Sequence, residues 1–238
     1  MGIFDFLFSG GEDSQLKKHC KRLQNLNAPQ EERVASAQWL ADNKSVEAIE
    51  GLLRRFAIHY EKQMKDVEEK EHIYGLLRKI GIDVVAPTKE WLRKNSNFAY
   101  PIKLIEEFDG AENTVGFLLE LLGLEMDPFK PEKKKQLIIK LGDYTDSRIV
   151  SPVVACLLDY DEEVRLMAVE TLYKQNTDDC QVAMLDALSN PEEESNRLRI
   201  RIAEIAQKRN WDISAHAEKL TRNPPVGWQV VNGALLPM

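Results

Sequence analysis

Apolar positions recur every three or four residues along nearly the whole chain, the spacing of helices with one buried face. Leu16, His19, Cys20 and Leu23 mark the first such stripe, within 14–26. Pro29 then interrupts the chain, and Glu31 and Glu32 suit the positive end of a new helix. From there the pattern predicts six helical hairpins. Their first helices begin near Glu31, Lys65, Phe98, Glu132, Asp161 and Asn196, in steps of 34, 33, 34, 29 and 35 residues. Their second helices begin near Ser45, Asp83, Glu112, Asp146, Asp178 and Asp212, and most of these starts carry the short oxygen side chain that an N-cap needs. Asn190-Pro191-Glu192-Glu193 reads as a further cap with an acidic first turn.

The repeat is clearest after Asp146. A helix, a short acidic turn and a second helix bearing Val164-Arg165, Ala168-Val169 and Leu172 are followed 34 residues later by Leu198-Arg199, Ile202-Ala203 and Ala206. A two-helix hairpin has too little core to fold alone, so a fixed period of this size implies hairpins stacked on one another. Small Ala37, Ala168 and Ala203 would let helices approach, and Leu40, Leu53, Leu158 and Leu172 would fill the space between layers.

The residues from Pro152 to Leu172 closely resemble a short HEAT repeat of the bacterial type, the kind also found in phycobilin lyases. They carry an early proline, the paired Leu157 and Leu158, Asp161 in the turn, then Val164-Arg165 and Ala168. The unit at Leu198-Arg199 matches well. Arg33, Ala37 and Leu40 match in part, with Glu32 in the valine place, while Lys134 replaces the arginine of the fourth hairpin. The third, with Phe98 and Pro101, has drifted furthest. The period covers most of 31–221, the motif about a third of it. The resemblance implies an all-α fold, a right-handed α-solenoid of the HEAT/armadillo kind, in which the Asp and Arg form a structural ladder between adjacent turns. Arg165 and Arg199 are therefore expected to be structural. Such proteins include protein-binding scaffolds, the phycobilin lyases and, in a distinct group, DNA glycosylases.

Three regions follow: an N-terminal apolar segment and capping helix (1–28), the repeat array (29–222) and a C-terminal tail (223–238). Pro224-Pro225 ends the helices, and Asn232-Gly233 between apolar flanks predicts a small β-hairpin that packs on the last repeat through Trp228 and Val230. At the other end, Ile3, Phe4, Phe6, Leu7 and Phe8 suit a cap on the first repeat, or a hook for a partner. This segment lacks the basic flank and length of a secretory signal, and Phe6 stands where myristoylation calls for Ser or Thr.

Charge narrows the partners. Residues 1–126 carry 17 basic and 21 acidic side chains, and 127–238 carry 15 and 18. An even acidic excess, net −7, disfavours a dedicated nucleic-acid binder, though it leaves room for a local basic patch. It also weakens the glycosylase alternative, which needs a basic groove with aromatics near a carboxylate; the sequence does not place Trp39 and Trp91. A lyase reading lacks an identifiable tetrapyrrole site. Cys20, Cys156 and Cys180 are widely separated and read as small core residues of a cytoplasmic protein. No apolar run approaches the roughly 18 residues of a membrane span.

Catalytic, cofactor and metal residues are not identified. His19, His59, His72 and His216 have no metal-ligand spacing, Gly10-Gly11 lacks the rest of a phosphate loop, and Lys133-Lys134-Lys135 is too short for an anion site. Glu68-Glu69-Glu71 and Glu192-Glu193-Glu194 read as a solvated face and a helix start. The candidate binding surface lies on second helices. With Val115, Leu118, Leu119 and Leu122 as the core stripe, Phe117 and Leu124 fall opposite, beside Glu120. Ala155 and Cys156 on the next second helix would complete a shallow groove on the concave side; the alternative is that neighbouring helices cover Phe117. The expectation is a cytoplasmic, bacterial, non-catalytic HEAT-repeat adaptor for a protein partner. The sequence leaves its partner and oligomeric state open.

Overall fold

The structure, a computed structural model, describes residues 3–61, 63–125, 127 and 130–238, with side chains from residue 13 onward. The expected roles of Ile3, Phe4, Phe6, Leu7 and Phe8 lie outside the described side chains. Among the described residues there are twelve α-helices and one two-stranded antiparallel sheet. The chain divides into two compact units, Met1–Thr114 and Val115–Met238. The division falls inside the third predicted hairpin, on a helix (α6, Pro101–Leu124) whose backbone leaves helical geometry at Gly110, φ 82° and ψ 160°. A positive φ favours glycine.

The first unit contains α1 (Ile3–Gln24), α2 (Gln30–Asn43), α3 (Val46–Leu53), α4 (Gln63–Ile80) and α5 (Val85–Lys94). Helix α1 packs on α2 and α3, α2 packs on α4, and α3 on α5. Ser45 caps α3 by accepting the Ala48 N–H at 3.2 Å. Leu23, Leu40, Leu52, Leu53, Ile73, Leu77 and Leu92 are sealed in the core. Where α1 crosses α3, a Cβ at Gly51 would stand 2.5 Å from Cys20 Sγ, so this crossing requires glycine.

Beside this apolar core lies a buried ionic cluster. Arg33 forks onto Glu69 through Nε (3.1 Å) and Nη2 (2.9 Å), and Arg55 reaches Glu69 at 3.3 Å and Asp66 at 2.7 Å. Lys70 closes the cluster on Asp66 at 2.7 Å. Arg55 is 0% exposed, and Glu69 is buried rather than part of a solvated face. Its neighbours Glu68 and Glu71 are exposed. One helix face therefore turns inward at position 69, where two guanidiniums offset the desolvation of the carboxylate.

The second unit contains the end of α6, then α7 (Glu132–Leu141), α8 (Val150–Ala155), α9 (Glu162–Lys174), α10 (Gln181–Ser189), α11 (Asn196–Lys208) and α12 (Ala217–Arg222). Helix α7 packs on α9, α9 on α11, and α10 on α11. Asp146, Asp161 and Ser195 accept backbone N–H groups at the starts of helical segments. The Asn190 side chain accepts the Glu192 N–H and its carbonyl the Glu193 N–H within a turn, and the following helix starts at Asn196. Ala168 and Ala203 are fully buried at the helix contacts.

Leu158 differs from its expected place between layers, being 79% exposed. The end of α8 tightens into a 3₁₀ turn, Cys156–Leu158, in which adjacent side chains diverge by about 120°. Leu157 faces the core and its partner cannot. The chain ends in β1 (Trp228–Val231) and β2 (Ala234–Pro237), joined through Asn232 and Gly233, with φ of 50° and 77°. The strands lie on α11 and α12, anchored by buried Trp228 and Leu235; Val230, paired with Leu235, is half-buried.

Candidate functional site

Three arginines recur at one place in their helices. Arg165 donates to the turn carbonyls of Asp159 (2.9 Å) and Tyr160 (3.1 Å), and its guanidinium pairs with Glu193 of the following turn at 2.8 Å. Arg199 donates to the Leu188 carbonyl at 3.3 Å and to Asn223, while Arg33 donates to the carbonyls of Ala28 and Leu26 as well as to Glu69. Lys134, at the matching place in α7, reaches Asp159 at 2.7 Å. These contacts satisfy turn carbonyls and tie successive turns together. Glu193, expected at an open helix start, is instead held between Arg165 and the Ser195 N–H.

The five residues expected to form a binding surface do not make one exposed groove. Phe117 is 4% and Cys156 8% exposed, while Glu120, Leu124 and Ala155 face solvent. Val115, Phe117, Leu118, Leu121 and Leu122 are all buried, and Leu119 is only half-buried. The core face thus spans about 160° at roughly 100° per residue, rotated from the expected stripe so that Leu121 replaces Leu119 and Phe117 comes inside. On a helix apolar nearly all round, periodicity leaves the inward direction open. Burial pushes the Cys156 thiol up to about 11, and its Sγ lies 3.5 Å from the Pro152 carbonyl oxygen.

An apolar groove does open one hairpin further on. Val154, Leu157 and Leu158 from α8 and its 3₁₀ turn face Ala183 and Ala187 of α10, with Pro191 at one end, around a volume of about 390 Å³. Asp186, Asn190 and Lys219 form its polar edge. Asp186 is fixed by His216 Nε2 at 2.8 Å. Exposed Val182 belongs to α10, and exposed Tyr160 follows the 3₁₀ turn by two residues. Another hollow of about 500 Å³ lies between α9 and α11, around Leu166, Met167 and Ile200. There Arg201 forks onto Glu170 at 2.6 and 3.0 Å and pairs with Glu204 at 3.0 Å, so its rim is already bridged by ion pairs. The α8–α10 groove thus pairs an apolar floor with a polar edge.

The other candidates have structural surroundings. Lys133, Lys134 and Lys135 each meet a carboxylate, at 2.8, 2.7 and 2.7 Å. His19 stacks on Trp39 with ring centroids 4.4 Å apart, and Trp91 is buried. Cys20 and Cys180 are buried free thiols, like Cys156. Among the described residues, no group of three or more His, Cys, Asp or Glu side chains is placed to hold a metal ion, and no helix is long and apolar enough to cross a membrane. Set against the models of known protein families and against the curated proteins, the sequence has no match.

Proposed function

We propose that the chain is an adaptor of the HEAT-repeat type, an α-solenoid that captures a partner protein along its second helices. The observation that carries this reading is the α8–α10 groove. Leu158 stands 79% exposed beside a concave apolar floor, where burial against a partner would stabilise a complex by roughly 25 cal/mol per Å² of apolar area. Two further features support the repeat reading. Alternate helices pack on each other within each unit, α2 on α4 and α3 on α5, then α7 on α9 and α9 on α11. The arginine-to-turn bonds of Arg33, Arg165 and Arg199 also recur. In this reading the polar edge of Asp186, Asn190 and Lys219 sets the partner's orientation, while Leu158 anchors it.

The test uses a Leu158→Asp variant. Because the side chain is exposed, its melting temperature should stay within a few degrees of the parent. Proteins captured by the immobilised parent and lost by Leu158→Asp, yet retained by a control such as Val67→Asp on α4, fit the proposal. Equal capture by all three chains ends it.

A further inference from the structure

A second groove lies in the first unit, between α1 and α2. It is an open hollow of about 760 Å³ with six charged side chains among its lining residues. Lys17, Lys18, Lys21 and Arg22 line it from α1, against Asp13 and Glu32. Among the described residues four cations face two carboxylates, although the chain as a whole carries −7. We propose that this groove binds a multiply charged phosphate group, with Lys18 and Lys21 as its principal donors.

Two of the four cations are already engaged. Arg22 pairs with Glu32 at 3.1 Å and Lys17 with Asp13 at 3.3 Å. Lys18 and Lys21 have no carboxylate partner among the described residues, and at a spacing of three they share one face of α1. Cations are expected in the last turn of a helix, where they meet its negative end, and this accounts for Lys21 and Arg22. It does not account for Lys17 and Lys18. The pairs Lys17–Lys21, Lys18–Lys21 and Lys18–Arg22 set like charges three or four residues apart, each opposing the helix by about 0.2–0.5 kcal/mol. The crowding acts on its surroundings: His19 on the same helix is held below the usual imidazole range, by burial first and then by Arg22 and Lys18.

Charge favours phosphate. The one guanidinium is taken by Glu32, and the ammonium groups that remain act as point charges on flexible stems, whose attraction grows with the charge of the anion they meet. A compact di- or trianion gains most from such groups, whereas a long polyanion also meets the acidic remainder of the molecule.

The full-length protein is titrated calorimetrically with tripolyphosphate at low salt, and sedimented with vesicles of phosphatidylglycerol or of phosphatidylcholine alone. Tripolyphosphate should bind, weaken as salt is raised, and lose about tenfold or more in affinity in K18A/K21A. K18R/K21R should retain binding and melt like the parent, and K18A/K21A should melt at or slightly above it because three like-charge pairs are removed at exposed positions. Sedimentation with phosphatidylglycerol vesicles that tripolyphosphate reverses would assign the phosphate to a lipid headgroup. Tripolyphosphate binding without vesicle binding would assign it to a free phosphate compound. No binding of either probe by the parent, or equal binding by K18A/K21A, overturns the proposal.

Discussion

Glu69 stands between the guanidiniums of Arg33 and Arg55, where water can replace neither partner. Burial alone would raise its pKa, but the hydrogen bonds from Arg33 and Arg55 outweigh it and hold the carboxyl below the ordinary range; Asp66 is lowered in the same way by Lys70 and Arg55. A depressed pKa in the folded state means that the unfolded chain takes up protons first as pH falls. The stabilisation is full above the ordinary carboxylate range and is lost as pH drops through it towards the lower folded value. Glu69→Gln leaves three buried cations, Arg33, Arg55 and Lys70, with one carboxylate and should cost about 3–5 kcal/mol at neutral pH. The variant should also lose part of the parent's acid-dependent slope. Urea unfolding from neutral to acidic pH measures both effects, and a parallel slope in the two proteins would contradict this account.

At the scale of elements, the α1–α3 crossing gives a test with a change of sign. Gly51→Ala places a methyl 2.5 Å from Cys20 Sγ, inside contact distance. Overpacking of this kind costs about 1–3 kcal/mol, against roughly 1 kcal/mol gained from replacing glycine within a helix. The single variant should therefore be less stable than the parent. In a Cys20→Ala background the obstructing sulfur is gone, so the same substitution should become neutral or stabilising. A double-mutant cycle by thermal melting reads the coupling directly, and additive effects would mean that the two side chains do not meet.

For the molecule as a whole, the recurring arginines predict where stability resides. Arg165→Ala removes bonds to two turn carbonyls and to Glu193, and should cost about 1–3 kcal/mol. Arg165→Lys should restore only part of this, because a single ammonium cannot reproduce the fork. Under the proposed repeat architecture, amide protection should fall first in α9, α10 and α11, while α2 and α4 serve as an internal reference. Hydrogen exchange followed peptide by peptide distinguishes this from uniform loss, which would mean that Arg165 supports more than its own neighbours.

Much of this was legible in the residues themselves. Helix starts near Glu31, Glu132, Asp161 and Asn196, the caps at Ser45 and Asp146, the buried alanines and the C-terminal hairpin all follow from local rules of capping, periodicity and turn geometry. Such rules act within a few residues of chain, so one sequence suffices to apply them. Direction in space is another matter. Phe117 and Leu158 lie on segments with apolar residues on several sides, and only packing against other helices chose Phe117 for the core and left Leu158 outside. Glu69 reads as part of a solvated face and Glu193 as part of a helix start because their partners Arg33, Arg55 and Arg165 lie 14 to 36 residues away along the chain. The sequence by itself determined where several of the helices begin, since those choices are made by neighbouring side chains and backbone. The tertiary structure alone decided which faces are covered, which charges are paired and where the α8–α10 and α1–α2 grooves open, because each depends on residues brought together from separate elements.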